Sequence, residues 1–301
     1  MTLAMLAVLG CGQSAADLLL TCAGGNASAC YAEGLAAANA PKPRYDEARA
    51  AWSTACMGNH DAQSCFELGH LVRDAKGGPR DVHRAAELFE IACRGGIDFA
   101  CVELGILLYV DQDGMKAEPE KAVTLFTEAC EKVDPAAAPE GAPHPLALAC
   151  DALGVAYLEG VGVEPPNRDE EKAAQLFDRA CTAHHPQGCV SAGAILAKSR
   201  REEKVDRAAE LYGQACKMDA RYGCFELAEL HETKAWKGAT DELASRFFQR
   251  TCNHDPTRGC YEAGLLMESG RVKAREGEIE SMFNVACEHG NGAACAKRKV
   301  K

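Results

Sequence analysis

Sixteen of the seventeen cysteines in this 301-residue chain fall into eight pairs, and the pairs recur with a repeat's period. Six pairs are eight residues apart: Cys22 with Cys30, Cys93 with Cys101, Cys181 with Cys189, Cys216 with Cys224, Cys252 with Cys260, and Cys287 with Cys295. Cys56 and Cys65 are nine apart, and Cys130 and Cys150 twenty. The first cysteines of successive pairs follow one another after 34, 37, 37, 51, 35, 36 and 35 residues. A period near 36 marks a chain of small stacked units, each too small to bury a core alone.

Two cysteines eight apart cannot bridge within one regular element. Their Cα atoms would lie about 12 Å apart on a helix and about 26 Å apart on a strand, whereas a disulfide spans roughly 4.4–6.8 Å. The chain must reverse between them, so the first cysteine ends one helix and the second opens the next. Gly24, Gly58 and Gly95 stand two residues after the first cysteine, and Gly290 three, where a helix would end on a left-handed glycine. Zinc is the competing reading. It uses short C-x2-C pairs, two of which converge on one ion, and neither that spacing nor a C-x-x-C-H haem site occurs here. The expectation is eight disulfides, with no metal and no cofactor.

The period has an internal grammar. Four residues before the first cysteine stands an aromatic: Trp52, Phe89, Phe126, Phe177, Tyr212, Phe248 and Phe283. Eight before it stands Ala48, Ala85, Ala122, Ala173, Ala208 or Ala244. These offsets share one helix face. Four after the second cysteine stands Gly34, Gly69, Gly105, Gly154, Gly193 or Gly264, with Ala228 in the remaining unit. Small residues there predict a close helix crossing. Each unit reads as helix A opening at the second cysteine, a loop, then helix B ending at the next first cysteine. No segment alternates with the period of a strand.

The stretch Cys150-Asp-Ala-Leu-Gly-Val-Ala-Tyr-Leu-Glu-Gly-Val-Gly-Val163 with Lys172-Ala-Ala-Gln-Leu-Phe177 resembles the Sel-one-like repeat, a relative of the tetratricopeptide repeat. Cys101-Val-Glu-Leu-Gly-Ile-Leu-Leu-Tyr109 matches it well, while the unit at Cys224 departs from it at Ala228. With a cysteine pair at each turn, the chain resembles the secreted Hcp-type cysteine-rich repeat proteins. Mitochondrial intermembrane-space assembly factors of similar build are more distant in the same resemblance, which covers about residues 14–299. It implies an all-α, right-handed α/α superhelical solenoid. Residues 12–301 would form one array of about seven helix pairs with capping half-repeats, interrupted by a Pro/Ala-rich insertion at 133–145. That insertion reads as a spacer or as a recognition loop, and leaves open whether Cys130 and Cys150 pair.

Pairing on this scale argues for an oxidising compartment. Cys11 is the unpaired cysteine. Residues 1–11 read as a short signal segment in which Val8-Leu9-Gly10-Cys11 resembles a bacterial lipobox, with Cys11 as the lipidated residue. The alternative is a secreted protein with one thiol inside an ordinary signal peptide. The expected location is the bacterial cell envelope, as a periplasmic or outer-membrane lipoprotein, or outside the cell. The only membrane contact would be through that lipid. A formal charge of −11 argues against nucleic acid as a partner.

The Hcp-type resemblance also implies a β-lactam-binding or β-lactamase-like activity, and the residues do not support it. None of the nine serines has lysine three positions on, and the nine histidines are scattered apart from His184-His185. No catalytic residue is assigned. The better grounded reading is a non-catalytic scaffold that binds a protein or peptide in a concave groove lined by the A helices. Groove positions fall one, five and eight residues after the second cysteine. The first gives Tyr31, Phe66, Phe225 and Tyr261, the second His70, Ile106, Glu229 and Leu265, and the third Arg73, Tyr109, Glu232 and Glu268. Aromatics beside the cysteines have an alternative role, packing over the disulfides.

Overall fold

The computed structural model describes residues 22, 26–138, 142–164, 168–199, 201–218, 220–233 and 236–298. The segment 1–11, with Cys11, lies outside the described residues, as do 139–141 of the insertion. Among the described residues the regular structure is fifteen α-helices and one short 3-10 turn, and the one β pairing is a single bridge between Gln112 and Met115. In chain order the helices are α1 (Ala27–Ala38), α2 (Tyr45–Asn59), α3 (Ala62–Arg73), α4 (Val82–Arg94), α5 (Asp98–Tyr109) and α6 (Pro119–Glu131). Then come α7 (Ala147–Glu159), α8 (Glu170–Thr182), α9 (Pro186–Ala197), α10 (Glu202–Lys217) and α11 (Arg221–Glu232). The last four are α12 (Asp241–Cys252), α13 (Pro256–Glu268), α14 (Glu278–Glu288) and α15 (Gly292–Ala296). Odd numbers are A helices and even numbers B helices, and helices pack chiefly on their neighbours in sequence. Two compact units divide the chain, Met1–Ala129 and Cys130–Lys301.

Short polar residues start these helices. Asn26, Asp61, Asp255 and Asn291 accept a backbone N–H three residues on at the head of A helices, and Asp81, Asp169 and Thr240 do the same for B helices. Each satisfies an otherwise orphaned donor, worth about 1 kcal/mol. Of the four glycines expected to close reversals between B and A helices, Gly290 is left-handed at φ 99° and Gly24 lies outside the described residues. Gly58 stays inside α2, and Gly95 has an ordinary φ of −76°. In those two turns the left-handed position falls one or two residues later, at Gly96 and His60, and in the turn after α8 it is His184. Helix B runs on past its cysteine before the chain turns.

All sixteen expected cysteines are at bonding distance from the partner the spacing gave them. In the first unit Cys22 meets Cys30, Cys56 meets Cys65 and Cys93 meets Cys101. In the second, Cys130 meets Cys150, which closes the pairing left open above. Cys181 meets Cys189, Cys216 meets Cys224, Cys252 meets Cys260 and Cys287 meets Cys295. The Cα separations are 4.5–4.8 Å throughout. Apart from the first, whose Cys22 precedes α1, each bridge joins the end of a B helix to the first turn of the next A helix. Cys30, Cys65, Cys150, Cys189 and Cys260 are wholly buried, and Cys295 in the short last helix is exposed.

The core of each repeat is one contact made seven times. The aromatic of helix B lies against the small residue of the A helix before it, and the aromatic is at most 2% exposed in each repeat. A Cβ added at Gly69, Gly105 or Gly154 would fall 2.6 Å from the ring of Phe89, Phe126 or Phe177. At Gly193 and Gly264 the ring is Tyr212 or Phe283, at 2.7 and 2.8 Å, and at Gly34 it is Trp52 at 2.2 Å. The glycines admit a ring as well as a neighbouring backbone. In the sixth repeat Ala228 and Phe248 are both wholly buried. The alanines eight residues before the cysteine, from Ala48 to Ala244, are all at 0% exposure.

Candidate interaction surfaces on the A helices

In the first unit the predicted positions gather on α1, α3 and α5. Tyr31, Phe66, His70, Arg73, Ile106 and Tyr109 are all partly exposed. The Phe66 ring meets His70 edge-on at 4.5 Å, Phe99 at 6.0 Å and the core ring Phe89 at 6.0 Å. Tyr109 approaches Phe126 at 6.2 Å, and the Tyr31 carbonyl accepts from Trp52 Nε1 at 3.2 Å. The aromatics along this line lean on the ring of helix B, which anchors one edge and leaves the other open. Burial, helped by the nearby Arg73 charge, lowers the His70 imidazole to about 4, so it is neutral at pH 7.

Arg73 is committed to the protein itself. Its Nη1 donates to Glu103 Oε2 at 2.5 Å and its Nε to Asp74 Oδ1 at 2.8 Å. Glu103 is 7% exposed, and burial raises its carboxyl against the lowering pull of Arg73. This pair ties α3 to α5 across the face. Sequence reasoning missed Glu103, yet the signal was present. Two residues after the second cysteine stands Glu67, Glu103, Glu226 or Glu262 in four of the repeats.

The second unit carries a different surface. Phe225 was expected at the groove. It is 4% exposed, packs on Phe248 at 5.4 Å and lies beneath the Arg258 guanidinium at 3.9 Å. It belongs to the core, and Arg258 takes its place outside. Around Arg258 stand Glu226, Glu229 and Glu262, each with its carboxyl raised. Burial is the main cause in all three, and neighbouring carboxylates add to it for Glu229 and Glu262. Glu232 is bound by Arg271 Nη1 at 3.0 Å, and Lys297 pairs with Glu268. Tyr261 rests on Phe283 at 6.0 Å, and Leu265 is half-buried beside it. The exposed character of this row is acidic.

Asp151 holds the first groove position of the Cys150 repeat and is buried, 8% exposed, with Oδ1 unpartnered. Its Oδ2 is 3.9 Å from His185 Nε2. Burial raises the Asp151 carboxyl to about 6 and lowers the His185 imidazole. Among the described residues no group of three or more His, Cys, Asp or Glu side chains could hold a metal ion. No helix there is long and apolar enough to cross a membrane.

Helix pairs of this period, closed by a ring on a glycine and stapled by disulfides, define an all-α solenoid of the tetratricopeptide-related class. The Sel1 repeat family matches residues 62–97, 98–134 and 147–185, so this part of the chain carries Sel1 repeats. It is similar to cytochrome c oxidase assembly factor 7A of Xenopus laevis, 26% identical over 175 residues, which cover 56% of this chain and 69% of that protein. The fold is shared with a crystal structure of a protective antigen of uropathogenic Escherichia coli that displays an SLR fold. There the TM-score is 0.69 at 18% identity, over 94% of this chain and 58% of that one, so the chain spans little more than half the antigen's length. A Sel1 repeat protein of Oxalobacter formigenes superposes with a TM-score of 0.69 at 19% identity, over 94% of this chain and 78% of the other. Repeats of this family are scaffolds for protein–protein contact, and the disulfides point to an oxidising setting.

Proposed function

We propose that the protein is an exported, non-catalytic scaffold whose A helices bind a segment of a partner protein. A segment bound by the second unit would carry cationic residues, and one bound by the first would carry apolar anchors. The observation that carries this reading is the group Glu226, Glu229 and Glu262, partly buried around the Arg258 cation. Burying carboxylates together costs stability in the free protein, and a cation from outside would offset that cost. The partly exposed rings of Phe66 and Tyr261 would supply aromatic contact area, which interfaces favour.

A peptide display selection on the oxidised protein tests the proposal. It should enrich Lys- or Arg-bearing sequences, and the triple variant Glu226→Gln, Glu229→Gln, Glu262→Gln should lose that enrichment. Equal enrichment on both proteins would refute it. Lipidation of Cys11 is part of the same proposal, and Cys11→Ser would then abolish recovery in the membrane fraction. Hydrolysis of a chromogenic β-lactam by the purified oxidised protein, lost on heating, would instead favour the enzyme reading.

A further inference from the structure

Each repeat has a loop between its A and B helices, and in three repeats this loop lies back over the B helix before it. Loop 74–81 sits on α2. A Cβ at Gly77 would fall 2.3 Å from the Tyr45 backbone, and Arg49 Nη2 donates to the Pro79 carbonyl at 3.2 Å. Loop 233–240 places Trp236 on the core cluster that contains Val205 and Ala209 of α10, and Lys237 reaches Glu202 in the first turn of that helix at 2.9 Å. Loop 269–277 places Val272 on the cluster of Ala244 and Phe248 of α12, and Arg271 donates to Asp241 in the first turn at 2.5 Å. In the last two of these loops one apolar side chain and one cation cover the head of the preceding B helix. Beneath the last two loops the residue seven before the cysteine is buried, Ala209 at 4% and Ser245 at 2% exposure, while under loop 74–81 its counterpart Arg49 is half-buried.

The fifth repeat lacks such a loop. Helix α9 ends at Ala197 and α10 starts at Glu202, so only 198–201 connect them. Four residues cannot fold back over α8. The head of α8 is left uncovered, and a cleft of about 830 Å³ opens between α8 and α10 with α9 as its floor. Ala174, the counterpart of Ala209 and Ser245, is half-buried at its edge, beside the half-buried Ile195 and Leu196. Glu170, met by Arg168 at 2.7 Å, and Glu171 form the acidic first turn at one wall, while Lys198, Arg201 and Lys204 also line the cleft and Arg207 pairs with Asp178 there. Such a volume suits a short peptide segment.

We propose that this cleft is a second docking site, which takes a loop of a partner protein in the place the chain's own loop holds elsewhere. The occupant is an extended segment with one bulky apolar side chain beside a lysine or arginine. The apolar group would cover Ala174, Ile195 and Leu196, and the cation would face the first turn of α8. The site is separate from the A-helix rows and does not depend on them.

The probe is a fluorescent, end-capped peptide with the sequence of residues 233–240, followed by anisotropy against the oxidised full chain. Saturable binding below about 1 mM is expected, with at least tenfold weakening when the peptide carries Trp236→Ala, since the aromatic anchor dominates such contacts. A protein variant in which residues 198–201 are replaced by the sequence of 233–240 should fill its own cleft. It should lose the peptide while its thermal midpoint holds or rises. Ala174→Trp fills the same space from one helix and should behave alike if the graft does not fold. No saturation, or equal affinity for the filled variants, would overturn the proposal. Glu226→Gln with Glu229→Gln should leave this affinity unchanged, which separates failure here from failure of the A-helix reading.

Discussion

Asp151→Asn should stabilise this protein at neutral pH and do little in acid. Asp151 is 8% exposed, its Oδ1 has no partner, and the imidazole 3.9 Å from its Oδ2 is itself discouraged from charging by burial. Desolvation raises its carboxyl from 3.8 to about 6. The folded form therefore holds a proton that the unfolded chain has released between those two values, and stability falls as pH rises through this window. About two pH units at ~1.36 kcal/mol each set the cost at pH 7 to about 3 kcal/mol. Asparagine has the same shape and no charge to desolvate. Urea unfolding of the disulfide-intact variant should show a gain of up to ~3 kcal/mol at pH 7, shrinking toward zero at pH 4. Running both proteins on a His185→Gln background removes the opposing titration of the histidine. A difference equal at the two pH values, or a loss at pH 7, would show that ionisation of this buried group is not what limits stability there.

Gly154→Ala gains about 1 kcal/mol of helix propensity but drives a methyl to 2.6 Å from the Phe177 ring. A net loss of about 1–2 kcal/mol in chemical unfolding is expected, recovered in part by Phe177→Leu, whereas Gly58→Ala, with nothing within 4 Å, should be neutral or better. Arg73→Met leaves Glu103 buried without its partner. It should cost about 3 kcal/mol at pH 7 and progressively less as the pH is lowered and the raised carboxyl takes up a proton. Reducing the disulfides removes closures worth about 2.5 kcal/mol for each eight-residue loop in the chain-entropy model. Circular dichroism with and without reductant should show the cooperative thermal transition shifted far down or lost.

Much of the fold was legible because the constraint is local. A cysteine pair eight residues apart can close only across a turn, and the aromatic, alanine and glycine offsets each report one helix face. The surfaces were less legible. The pattern placed Tyr31, Phe66, His70, Ile106 and Tyr109 on one face, but it could not show that Phe225 turns into the core while Arg258, 33 positions on in the next A helix, covers it. It counted Arg73 among the partner contacts, although a salt bridge to Glu103 occupies that side chain. It also treated the glycine row and the aromatic row as separate signals, where packing makes them the two halves of one contact.

Period, helix pairing and the turn closures followed from the order of residues alone, because each rests on atoms fewer than about forty positions apart along the chain. Which side chains remain available to a partner was settled only by packing between repeats. A carboxylate's burial, a guanidinium's choice of partner and the uncovered head of α8 depend on what neighbouring helices and loops bring against them. A repeat motif read one unit at a time does not contain that information.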